Sequence, residues 1–245
     1  GVVAESVKRD GYVVLNADNE YCAGISKEVS CNVAYFSMNE NNPVILEHCK
    51  KGGIAAIYEN GFITIKKGDW KFRVQKVVNV PLTFGGRVSF MIQNVLAATL
   101  ATYVYGFATE DIATSLETFI PSAAQTPGRM NIFDFKEYKV MIDFAHNADG
   151  FRGIKEFLST IESTSKIGII TGTGDRRDDD IRDMGRISAE MFDHIIIRQD
   201  KFLRGRQAEE IVKLLVEGIQ QVNPMTSYEY VPKEIEALNH ASELQ

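Results

Sequence analysis

Cysteine is scarce in this 245-residue sequence, and Cys22, Cys31 and Cys49 are odd in number with no CxxC spacing. That pattern argues against a disulfide framework and against a structural zinc site. No apolar run approaches the roughly eighteen residues a membrane helix needs, and no signal-peptide pattern opens the chain. A cytoplasmic protein is therefore the default expectation, without a membrane partner. Positive charge is also lacking: the formal net charge is −6, which gives no electrostatic reason to expect nucleic acid as a partner. No G-x-x-x-x-G-K-[ST] phosphate loop occurs anywhere in the sequence. What remains is ordinary globular composition, 44% hydrophobic and 24% charged, in a chain long enough for two domains with their own cores.

The first block reads as strands followed by helices. Gly11–Asp18 (GYVVLNAD) is an apolar run closing on polar residues, the pattern of a buried parallel strand. Cys31–Met38 is a second strand. Asn60-Gly61 between IAAIYE and FITIKKG signals a two-residue hairpin, because a type I′ turn needs positive φ at both positions. WKFRVQKV continues this antiparallel region. Ser89 then opens a long helix that Gly106 stops, and Thr109 opens another running to about Phe119. Trp70 reads as packing, Phe90 and Met91 as helix core, and His48 and His240 as surface residues on amphipathic helices. The small, polar, proline-bounded segment Pro121–Pro127 marks the domain boundary, giving domains 1–125 and 126–245.

The second block alternates strand and helix. Val140–Ala145, Lys166–Gly172 and His194–Gln199 are strands. Helices occupy Gly150–Ile161, Asp180–Phe192 and Ala208–Val222, and a last one begins at Glu234. This alternation predicts an α/β, Rossmann-like parallel sheet with helices on both faces. The chain begins within an apolar-periodic helix and ends on a helix where an α/β unit returns to a strand, so it reads as a piece of a longer protein.

Three features carry chemistry. Thr126–Asn147 sets a Pro-Gly-Arg turn before Asp143, His146 and Asn147. Arg129 can meet a phosphate with two parallel hydrogen bonds, and a carboxylate at a strand exit can hold a ribose. The same residues also suit a surface ion pair and a helix cap. Thr171–Asp178 (TGTGDRRD) joins a strand to a helix. Its glycines allow backbone N–H groups to approach an anion, and its mixed charges suit an amino-acid substrate. Equally, it can be a tight turn with a solvated charge run. Arg204-Gly205-Arg206 follows the next strand and falls at the same sheet edge if the topology is right-handed and parallel.

LNAD, FMIQNVLAA, PGRMN, DFAHN, GTGDRRDDD and RGR, in this order, resemble the Mur-ligase-like half of the cyanophycin synthetase family, within the Mur ligase superfamily. The resemblance runs through nearly the whole chain and is tightest from Pro127 to Arg206. It implies an ATP- and Mg²⁺-dependent ligase that activates a carboxylate as an acyl phosphate. Its partners would be free L-arginine and an aspartate/arginine polymer, and the full-length enzyme would be a homo-oligomer. By motif position, Asn94 would contact the adenine, Arg129 the phosphates and Asp143 the ribose, with His146 and Asn147 shaping the nucleotide cleft. Asp175, Arg176, Arg177 and Asp178, with Arg204 and Arg206, would face the amino acid or the polymer. On charge alone, Asp175 and Asp178 suit a guanidinium and the arginines suit polymer carboxylates.

The resemblance makes residues 1–125 the end of a central ATPase domain lacking its phosphate loop, and 126–245 a C-terminal domain lacking its last strand. The catalytic phosphate loop and metal ligands would lie upstream, so no catalytic or metal residue is assigned within the chain, and the fragment alone is expected not to turn over ATP. Asn19 stands where the family more often has aspartate, and Ala148 where proline is common. Two alternatives remain. One is a superfamily ligase of cell-wall precursors or of folate polyglutamate; the other is a non-catalytic module that keeps the fold.

Overall fold

The computed structural model describes residues 2–244. Contacts divide the chain into two compact units, Gly1–Pro121 and Ser122–Gln245.

The first unit is a five-stranded sheet in the order β1 (Tyr12–Asn16), β2 (Asn32–Ser37), β3 (Ile54–Glu59), β4 (Phe62–Lys67) and β5 (Trp70–Lys76). The first three strands are parallel and the last two antiparallel. Asn60 and Gly61 adopt φ of 50° and 80°, so the β3–β4 hairpin forms as the Asn-Gly pair predicts. Short helices α1 (Val2–Glu5), α2 (Glu20–Gly24) and α3 (Pro43–Lys50) precede the long α4 (Ser89–Tyr105) and α5 (Thr109–Thr118). Strand periodicity sorts the core into two faces. Ala34, Ala56, Ile63 and Ile65 pack with Ile92, Leu96 and Leu100 of α4, while Tyr35, Ala55 and Ile57 pack with Ile45 and Cys49 of α3.

Two side chains depart from the sequence reading. Trp70 is 56% exposed, its ring only tilted against Phe72 at 4.9 Å. His48 is a half-buried residue rather than a surface one, edge-on to Tyr35 at 4.9 Å. Its ring fills the space beside Gly53, where a Cβ would fall 2.2 Å from Nε2. His48 follows buried Ile45 by three residues and half-buried Val44 by four, the helical spacing that puts it on their inward face.

The second unit begins with an antiparallel hairpin, β6 (Asn131–Phe135) and β7 (Tyr138–Ile142), followed by α6 (Ala148–Ser159). A separate parallel sheet has the order β10 (Ser227–Tyr230), β9 (His194–Ile197), β8 (Ile167–Ile170). Helices α7 (Asp178–Met191) and α8 (Ala208–Val222) connect its strands, and α9 (Glu234–Glu243) packs on β8. Ile195 and Ile197 of β9 pack with Ile181 and Met184 of α7 and Leu215 and Ile219 of α8.

Here the structure changes two expectations. The strand expected at Val140–Ala145 spans Tyr138–Ile142 and pairs with its sequence neighbour β6 rather than entering the parallel sheet. Phe135 stacks on Tyr138 across the turn at 5.1 Å, and so local a pairing closes at little loop-entropy cost. The sequence reading also placed no strand between α8 and α9. β10 is there, short and with all four residues exposed, so it carries no apolar signal.

Where α7 crosses α8, a Cβ on Gly185 would fall 2.2 Å from the Leu215 carbonyl, and one on Gly218 would fall 2.1 Å from that of Arg182. The two glycines thus permit backbone contact between the helices. No helix among the described residues is long and apolar enough to cross a membrane.

Candidate functional site

The Pro-Gly-Arg turn is tied to the exit of β7 by side-chain and backbone bonds. Gly128 and Met130 both adopt positive φ, 68° and 49°, and the buried methionine pays for that strain with its anchoring. Asp143 accepts from the Met130 N–H at 2.9 Å with one oxygen and from the Ala145 N–H at 2.7 Å with the other. Buried Asn131 accepts from Gly128 N–H at 2.7 Å and donates to the Thr126 carbonyl at 3.1 Å. The Phe144 N–H donates to Gly128 O at 2.8 Å. Arg129 is exposed, with its guanidinium 5.4 Å from the centre of the Phe144 ring, and makes no ion pair among the described residues. His146 has Nδ1 3.1 Å from the Phe144 carbonyl. Asn147 caps α6, its Oδ1 accepting from Gly150 N–H at 2.8 Å. Asn131 was missed in the sequence reading, although its place just after the turn marks it as an Asx-type anchor.

The glycine loop after β8 is joined to the Arg204–Arg206 loop after β9. Gly174 carries the junction, because a Cβ there would lie 1.9 Å from the Leu203 carbonyl oxygen. Arg206 donates to the carbonyls of Gly174 at 3.0 Å and Arg176 at 2.8 Å. It also pairs with Asp178 at 2.8 Å and Glu210 at 2.5 Å. The Asp178 hydrogen bond raises the Arg206 pKa above its ordinary value, against a smaller desolvation effect. Arg204, with φ 49°, pairs with Asp175. Partial desolvation pushes the Asp175 carboxyl up, but the bond and charge of Arg204 bring it below the usual carboxylate value on balance. Arg177 makes a bidentate contact with Asp180 at 2.9 and 3.0 Å, and that hydrogen bond lowers the Asp180 pKa.

Of the charged residues singled out in these two loops, Arg176 alone makes no side-chain hydrogen bond or ion pair among the described residues, although its charge acts on Asp175 and Asp180. Its Nε is buried without a hydrogen-bond partner, as is Oγ1 of nearby Thr173. Both line a cavity of about 1050 Å³ within the second unit. Asp143, His146, Asp175 and Arg204 line it too, so all three sequence features contribute to one space. So do Arg198 and Asp200 at the β9 exit, which sequence reasoning did not select. A charged pair just after a strand was the available signal. Asn94 lies in the first unit, exposed on α4, and lines a separate pocket of about 360 Å³ with Val95, Ala98 and Phe107.

Buried donors without partners are costly, and a guanidinium beside a hydroxyl at a strand exit suits an oxyanion. Residues 128–245 match the model of the Mur ligase glutamate ligase domain. They belong to the Mur ligase family. The chain is 44% identical over 97% of its length to cyanophycin synthetase of Geminocystis herdmanii. It spans about a quarter, 27%, of that relative's length. Among solved structures, MurF from Acinetobacter baumannii superposes with a TM-score of 0.66 at 18% identity, covering 99% of this chain and 47% of that one. Folylpolyglutamate synthase of Mycobacterium tuberculosis, complexed with ADP and AMPPCP, gives 0.62 at 13% identity, covering 95% of this chain and 57% of that one. These two likenesses establish a shared Mur-ligase-like fold.

Proposed function

We propose that this chain is the Mur-ligase-like portion of an ATP-dependent amide ligase of the cyanophycin synthetase type. The reaction joins the α-amino group of L-arginine to a side-chain carboxylate of a polyaspartate backbone. The carboxylate takes the γ-phosphoryl group of ATP, giving an acyl phosphate and ADP. The amine then attacks the carbonyl carbon, loses a proton, and phosphate departs from the tetrahedral intermediate. Residues 1–125 belong to the central ATP-binding domain and residues 126–245 to the amino-acid-ligating domain. The full-length enzyme is homo-oligomeric and cytoplasmic.

The observation that carries this reading is Arg176, whose side chain makes no hydrogen bond or ion pair among the described residues, in a loop where the other singled-out charges are paired. Asp175 and Asp178 are engaged by Arg204 and Arg206, so they serve to hold the loop rather than to receive a guanidinium. Arg176 and Thr173 instead offer donors to an oxyanion, either a substrate carboxylate or the oxygen that gains charge in the tetrahedral intermediate. Arg129 fits a phosphate of ATP: it is exposed, makes no ion pair with a carboxylate among the described residues and is steadied over Phe144. Mg²⁺ would neutralise the phosphates when bound. Asp143, His146 and Asn147 act on the nucleotide by shaping the turn and the helix start, and Asn94 serves the adenine.

The test is nucleotide-dependent phosphate release by the purified protein that contains this chain. Release with L-arginine and a polyaspartyl primer is the expected result. Release only with UDP-sugar peptides or folate substrates would reassign it within the superfamily, and no release with any acceptor would make it a non-catalytic module.

A further inference from the structure

The cations of the first unit are not spread evenly. Five of the eleven lysines and arginines in residues 1–121 fall between Lys66 and Lys76, on β4 and the edge strand β5. Strand pairing fixes where four of them point. Lys66 lies opposite Lys71, Thr64 opposite Arg73, and Phe62 opposite Lys76. Thr64, Lys66 and Phe62 in turn lie opposite Ile57, Ala55 and Glu59 of β3, where Ala55 and Ile57 face α3. Lys66, Lys71, Arg73 and Lys76 therefore share the α3 side of the sheet.

Arg73 and Lys76 are three residues apart and would normally face opposite sides. A β-bulge decides otherwise. The register shifts between Ile63 and Thr64, which face Gln75 and Arg73, so Val74 is the extra residue. One aromatic ring then carries both cations, with the Arg73 guanidinium 4.3 Å and Lys76 Nζ 5.8 Å from the centre of Phe62. Neither makes an ion pair with a carboxylate among the described residues, whereas Lys71 is paired with Glu59 and lies 3.9 Å from Glu40. Arg73 and Lys76 are both exposed.

We infer that this bulged face of β4 and β5 is a docking surface for an extended acidic peptide, an aspartate polymer in particular. Charge complementarity selects the occupant: a chain of net charge −6 gathers cations here and holds two of them over a ring, outside any ion pair among the described residues, although the Glu59 charge also acts on Arg73. An extended polypeptide presents same-side carboxylates about every 6.8 Å, matching the rise along a strand. The face belongs to the first unit, and the Arg176 cavity is lined by residues of the second alone; the role we assign to the face is retention of polymer. Only the choice of aspartate among acidic chains rests on the ligase reading above.

Fluorescence anisotropy with labelled poly-L-aspartate, without ATP or arginine, tests it. Binding at about 25 mM salt should weaken strongly by about 200 mM, as for exposed charges. Arg73→Glu with Lys76→Glu should weaken binding about tenfold or more. Lys8→Glu with Lys27→Glu, an equal charge change elsewhere in the same unit, should leave it within about twofold. Should the first pair fail to fold, Arg73→Gln with Lys76→Gln keeps the test open. Equal weakening by both reversed pairs, or no weakening by the first, overturns the inference. So does an oligothymidylate of the same charge binding as tightly as polyaspartate. Phosphate release is measured separately, so failure of either reading leaves the other standing.

Discussion

Replacing Gly174 by alanine should unlock the two loops that frame the Arg176 cavity. A Cβ there would sit 1.9 Å from the Leu203 carbonyl oxygen, whereas ordinary contact begins at 3.4 Å. The loops must therefore part by about 1.5 Å (3.4 − 1.9). The added Cβ is fixed in place by the backbone at 174 and the atom it meets is a backbone oxygen, so no rotamer change relieves it. The Arg206 bonds to Gly174 O and Arg176 O, now 3.0 and 2.8 Å, would stretch past bonding distance. Overpacking of this kind costs about 1–3 kcal/mol, and two charge-assisted bonds on a partly exposed guanidinium add about 1–2 more. We expect a loss of about 3 kcal/mol, seen as a melting point about 10 °C lower for the second unit. Gly205→Ala is the matched control. Its φ is 94° but nothing lies within 4 Å of the added atom, so it should cost only backbone strain of about 1 kcal/mol. Urea and thermal unfolding of both variants decide the matter. If Gly174→Ala is no worse than Gly205→Ala, the tight junction between these loops is not what holds the site.

Gly185→Ala should cost about 3 kcal/mol by urea unfolding, because its Cβ would meet the Leu215 carbonyl and push α8 off α7. A loss below about 1 kcal/mol would mean that the helices slide freely. Arg176→Ala should lower turnover of the ligase by about a hundredfold, as when an oxyanion donor is removed, while Arg177→Ala, whose partner is Asp180, should change it less than about threefold. Equal losses would remove Arg176 from its assigned role. His48 links stability to pH. Burial lowers its pKa below the ordinary 6.5, so the unfolded chain binds a proton that the folded one resists, and stability rises with pH. That contribution is complete above about pH 6.5 and is lost as pH falls below it. Urea midpoints should thus fall more steeply from pH 7.5 to 5.5 in the parent protein than in His48→Gln, and parallel slopes would sink the assignment.

Much of the architecture was legible in the linear order of residues. Asn60-Gly61 specified the β3–β4 turn because few residue pairs tolerate positive φ twice, and Gly106 stopped α4 at φ 106° for the same reason. Regular alternation in the second half foretold the parallel sheet and its helices. The motifs PGRMN, DFAHN and GTGDRRDDD were readable as a family signature because their chemistry is local. The hairpin pairing of β7 was not legible, since its apolar run suits either an antiparallel or a parallel neighbour. Nor was β10, whose residues carry no hydrophobic signal.

Pattern and spacing determined most of the segments that form strands, β10 excepted, which side chains gather at strand exits, and the superfamily to which those motifs point. Tertiary structure alone decided which charges are already spent. Arg204, Arg206, Asp175 and Asp178 satisfy one another, Arg177 satisfies Asp180, and Arg176 is left over. It also decided that one bulged residue turns Lys76 onto the face of Arg73. Both outcomes depend on distances between residues far apart in the chain or on a register shift across strands, and periodicity along one strand contains neither.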